Sequence, residues 1–84
     1  MDQCMITFRS VTPAQRGEGL LRRAGVSCTM GRTPRRMEQQ GCGYSLRLRC
    51  GDIPKAVEIL RQNQMPFRKV YLQRQGGDLE ELSL

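Results

Sequence analysis

The chain has 84 residues, with fourteen Lys+Arg against eight Asp+Glu and a formal net charge of +6. A chain this short makes one domain with a small core, which argues against a deep pocket built from many convergent side chains. It has no histidine, so the commonest general base and metal ligand is missing, and hydrolytic triads or zinc-water catalysis in their usual forms are not expected.

The first segment, Gln3 to Arg9, alternates. Cys4, Ile6 and Phe8 fall on one side and Met5, Thr7 and Arg9 on the other, the pattern of a half-buried strand. Thr12-Pro13 reads as an N-cap followed by proline at the first helical position. Ala14, Gly17, Leu21 and Ala24 then recur at helical spacing. Gly25 sits where a left-handed residue would close that helix, and Gly17 on its inner face would let it approach a sheet closely. Val26, Cys28 and Met30 alternate as a second strand. From Gly31 to Gly43 the chain is punctuated by Thr33-Pro34 and Gly41-Cys42-Gly43 and reads as a long loop, a length of connection that often carries function.

Tyr44, Leu46, Leu48 and Cys50 alternate with Ser45, Arg47 and Arg49, giving the clearest strand. Asp52 is placed to cap a second helix whose apolar stripe is Ile53, Ala56, Val57 and Leu60. Phe67 to Gln73 is strand-like, with an edge strand expected at Val70 to Gln73, open to self-association as a dimer. Residues 75–84 read as a flexible acidic tail carrying Asp78, Glu80 and Glu81. Residues 1–74 are therefore expected to form a single α+β domain in strand–helix–strand, strand–helix–strand order. The economical fold for that order is a ferredoxin-like βαββαβ sandwich, a four-stranded antiparallel sheet with two helices on one face.

Residues 1–74 hold all fourteen cations but only five acids, and twelve of the cations are arginine, the side chain suited to planar anion contacts. Arg9 on the first strand and Arg47 and Arg49 on the third are expected to project together from the open sheet face as a candidate anion site. RNA-recognition sheets stack bases on aromatics at such positions, and none stands here, so nucleic acid is the less favoured ligand. A non-catalytic module binding an anionic ligand, an acidic partner or nucleic acid is the alternative reading of this surface. No apolar run is long enough to cross a bilayer, and the N-terminal residues lack the pattern of a signal peptide. The expectation is a cytoplasmic protein, off the membrane, with reduced thiols.

Position separates the four cysteines. Cys4, Cys28 and Cys50 share the inner, apolar side of their strands, where free cysteine packs as a small hydrophobe. Cys42 lies between two glycines in the basic loop, and Arg32, Arg35 and Arg36 nearby favour its thiolate, the nucleophilic form. An exposed turn cysteine with no role is the competing reading. There is no Cys-x-x-Cys pair, so no metal site is expected, and no cofactor motif is present.

The segments "MITFRSVTPAQRGEGLLRRAGV", "TPRR", "GCGYSLRL" and "AVEILRQNQM…VYLQ" together resemble the selenium/sulfur carrier-like family. Thr33-Pro34-Arg35 matches its Thr-Pro-Arg element and Cys42-Gly43 its Cys-Gly pair. The arginines at 47 and 49 and the glycine at 41 depart from it. The resemblance implies a carrier rather than a self-contained enzyme. The Cys42 thiolate would take sulfur or selenium from a donor protein and pass it to an acceptor protein, with Arg35, Arg36, Arg32 and Gly43 supporting it. Such a carrier needs no cofactor.

Overall fold

A computed structural model describes residues 3–32, 43–73 and 79–82. The described chain runs β1 (Gln3–Phe8), α1 (Val11–Arg23), β2 (Thr29–Arg32), β3 (Tyr44–Arg49), a 3-10 turn (Cys50–Asp52), α2 (Ile53–Gln62), β4 (Val70–Gln73) and β5 (Leu79–Leu82). The five strands form one antiparallel sheet in the order β2-β3-β1-β4-β5. β1 and β3 lie together near its centre, as the expected layout requires. The expected count of four strands is corrected to five, because Leu79–Leu82, read from the sequence as part of a tail, pairs with β4. Val70–Gln73 is consequently not an edge strand: it is paired with β1 on one side and β5 on the other.

The alternation in β1 and β3 places every second residue on the helix side. Cys4, Ile6, Phe8, Leu46 and Leu48 are buried there against Ala14 and Leu21 of α1, Ile53, Ala56, Val57 and Leu60 of α2, and Val70 of β4. Both helices therefore cover the same sheet face. At about 25 cal/mol per Å² of apolar surface removed from water, this shared core is the main favourable term in folding. Gly17 sets the separation of its layers: a Cβ there would lie 3.1 Å from Phe8 Cζ and 3.4 Å from Leu60 Cδ2, so glycine lets α1 settle onto both.

The first helix begins earlier than Thr12-Pro13 implies. Ser10, with extended φ, is its N-cap, and Pro13 falls within the first turn, where its missing N–H leaves no partner unpaired. The end of α1 is as expected. Gly25 has φ +85°, its N–H donates to the Arg22 carbonyl at 3.0 Å, and that of Val26 donates to the Leu21 carbonyl at 2.8 Å. This is a Schellman closure with two buried apolar residues stacked across it. The same closure ends α2, where Gln64 and Met65 donate to Arg61 and Leu60. There the left-handed residue is Gln64, at φ 54°. Asp52 stands at the N-cap of α2 but makes no side-chain capping bond.

The other sheet face differs from the open surface expected of it. Met5 and Thr7 are 1% and 2% exposed, and Ser45 is fully buried. The Thr7 hydroxyl donates to the Lys69 carbonyl and accepts from the Lys69 N–H. Ser45 Oγ has no hydrogen-bond partner among the described residues. The second strand is also displaced: pairing with β3 begins at Thr29, and Val26 to Cys28 form the approach to it.

Candidate functional site

The register of the two central strands decides the fate of two cysteines. Cys4 pairs with Leu48, so Cys50, two residues further along the chain and just past the end of β3, is its diagonal neighbour on the same face. At Cys50 the chain leaves the strand for the 3-10 turn, and the two Cα atoms are 5.0 Å apart, within disulfide range. Cys4 and Cys50 are joined by a disulfide. The expectation of reduced thiols is corrected for this pair, and so is the burial of Cys50. Cys4 is 1% exposed, whereas Cys50 is only half-buried and lines a groove of about 830 Å³ with Gln3, Thr29, Arg47 and Arg49. The alternation that placed both cysteines inward on central, adjacent strands was the available signal for their pairing; the exact register was not.

Cys28 is a free, buried thiol. Its Sγ lies 4.0 Å from the Glu18 carbonyl oxygen, and Arg22 donates to the Cys28 carbonyl at 3.3 Å while facing the Glu18 carboxylate at 3.5 Å. Burial is the largest influence on this thiol and pushes its pKa up. The Glu18 carboxylate pushes the same way, and the Arg22 guanidinium opposes both. Cys28 is accordingly a protonated, weakly nucleophilic thiol near neutral pH.

The arginines expected to act together are divided by the sheet register. Arg47 stands opposite Met5 and Arg49 opposite Gln3, while Arg9 follows the other end of β1, just past the Phe8–Tyr44 pair. At about 3.3 Å per residue, Arg9 is about 13 Å along the strand from the level of Arg47 and about 20 Å from that of Arg49. Arg47 and Arg49 share the groove at Cys50.

Of the residues grouped around Cys42, the structure describes two. Arg32 ends β2 as an exposed residue paired with Tyr44, and Gly43, immediately before Tyr44, is buried. Cys42, Arg35 and Arg36 lie outside the described residues. Among the described residues no helix is long and apolar enough to cross a membrane.

A family model described as "Putative Se/S carrier protein-like" matches residues 3–72. No curated protein and no solved structure matches the chain.

Proposed function

Because the chain belongs to the Se/S carrier-like family, whose model covers most of its length, we propose that it carries sulfur or selenium on the Cys42 thiolate. Within the chain, the observation that supports Cys42 is the state of the other three cysteines. Cys4 and Cys50 are spent on each other, and Cys28 is buried with its pKa raised. Cys42 follows a basic segment containing Arg32, Arg35 and Arg36, and positive charge nearby favours thiolate.

The chemistry is a single sulfur transfer. The Cys42 thiolate attacks the terminal sulfur of a donor protein's persulfide, the donor's S–S bond breaks, and its electron pair leaves on the donor thiolate. Cys42 is left as a persulfide. The acceptor repeats the step in reverse roles, so neither half needs a histidine or a bound cofactor. Arg35 stabilises the thiolate in this reading, and Arg32 and Arg36 assist.

Incubation with a cysteine desulfurase and cysteine, followed by intact-mass measurement, tests the proposal. One sulfur atom should be gained, and the gain should vanish in Cys42→Ser. A gain that survives that substitution, or none from any persulfide or perselenide donor, refutes it.

A further inference from the structure

The Cys4–Cys50 disulfide differs in its two ends. Cys4 is in the core, 1% exposed, beneath the pairing of β1 with β3 and β4. Cys50 sits half-buried where β3 gives way to the 3-10 turn and borders an open groove whose wall carries Arg47 and Arg49. A disulfide serving only as a staple gains nothing from having one of its cysteines in a groove lined by two arginines. Thiol–disulfide exchange depends on which sulfur the incoming thiolate can reach and on the charge around it.

We propose that this disulfide is a thiol–disulfide exchange site for anionic thiols, with Cys50 the sulfur that receives the incoming thiol and Cys4 the buried resolving sulfur. The step balances without an outside oxidant. A thiolate in the groove bonds to Cys50 Sγ, the Cys4–Cys50 bond breaks, and the electron pair leaves on Cys4 Sγ. That sulfur takes up the proton the incoming thiol gave up. The products are a mixed disulfide on Cys50 and a Cys4 thiol. Cys4 can reverse the step and expel the visitor. Alternatively a second thiol attacks the mixed disulfide at the visitor's sulfur, releasing the visitor as a disulfide and leaving two protein thiols. Arg47 and Arg49 draw the anion to the groove. The site stands apart from Cys42, and its test is run in the Cys42→Ser chain so that the two readings fail separately.

The oxidised Cys42→Ser chain is treated, without denaturant, with an anionic phosphine carrying three carboxylates and with a neutral hydroxypropyl phosphine; both reduce disulfides irreversibly. Reduction should be faster than global unfolding. Relative to a small reference disulfide, the anionic reagent should gain about tenfold over the neutral one. Arg47→Gln/Arg49→Gln, or high salt, should erase that gain. Reduction no faster than unfolding, or a gain indifferent to the two arginines, overturns the proposal. The attacked sulfur is identified separately with glutathione disulfide. Cys4→Ser should collect one glutathione on Cys50, while folded Cys50→Ser should leave Cys4 unmodified. Comparable modification of Cys4 overturns the assignment of roles. If Cys4→Ser fails to fold, the phosphine comparison on the disulfide-intact chain still decides the proposal.

Discussion

Reducing the Cys4–Cys50 disulfide should cost this small domain much of its stability. The bond spans a sequence separation of 46. In the chain-entropy treatment, closing a loop of that length removes about 4 kcal/mol worth of freedom from the unfolded chain at 25 °C. A domain has only about 5–15 kcal/mol in total, and at this size each kcal/mol moves the midpoint by about 4–8 °C. The expected drop is therefore about 4 kcal/mol, or about 15–30 °C. By the same cycle, folding favours the closed disulfide over the dithiol by about a thousandfold, which suits a buried Cys4 that expels a visiting thiol. The assay is urea unfolding of the oxidised chain, the reduced chain and Cys4→Ala/Cys50→Ala, comparing midpoints and slopes. A reduced chain within about 1 kcal/mol of the oxidised one would show that the disulfide does not stabilise by restricting the unfolded chain, which would then gain little from being released.

Gln64 occupies the left-handed closing position of α2 at φ 54°, a conformation costing a non-glycine residue about 1–2 kcal/mol. Gln64→Gly should stabilise by about 0.5–1 kcal/mol after the extra freedom of glycine in the unfolded chain is subtracted; thermal melting should show the rise, with Gly25→Ala as the destabilising counterpart. Ser45→Ala should be neutral or stabilising by up to about 1 kcal/mol, since the buried hydroxyl has no partner among the described residues, and a loss of stability by urea titration would reveal a bond to it. The raised pKa of Cys28 gives a signed pH effect. The unfolded chain ionises this thiol from about pH 8.5 while the folded chain resists, so its contribution is full below that pH and is lost as pH climbs through the folded value. Stability should fall more steeply above about pH 8.5 in the parent than in Cys28→Ala.

Periodicity made the helix-covered half of the fold legible. Cys4, Ile6 and Phe8 of β1, Leu46 and Leu48 of β3 and the stripe of α2 are buried as their spacing requires, and Gly25 closes α1 in the left-handed conformation. β5 escaped because Leu79, Glu80, Glu81 and Leu82 have no strand character of their own; pairing with β4 and the Lys69–Glu81 contact at 3.0 Å supply their context. The start of α1 was misplaced because Ser10 and Thr12 are both capable caps and proline is tolerated throughout a first turn. Alternation says which residues share a face but not whether that face meets water, so Met5, Thr7 and Ser45 read as outward although they are buried. In the candidate site, the inward direction of Cys4 and Cys28 was readable. The Cys4–Cys50 bond was not, since cysteine spacing alone cannot fix connectivity and a strand register is a tertiary fact.

Whether Cys42 is the reactive thiol of this chain is decided by competitive alkylation of the oxidised, folded protein at pH 7. With Cys4 and Cys50 joined and Cys28 buried, peptide mapping over time should find Cys42 modified first and far ahead of Cys28. Arg35→Ala should slow it by shrinking the thiolate fraction, an effect that salt should also produce. Modification of Cys28 as fast as Cys42, or a Cys42 rate unmoved by both Arg35→Ala and salt, would rule out Cys42 as the arginine-activated thiol.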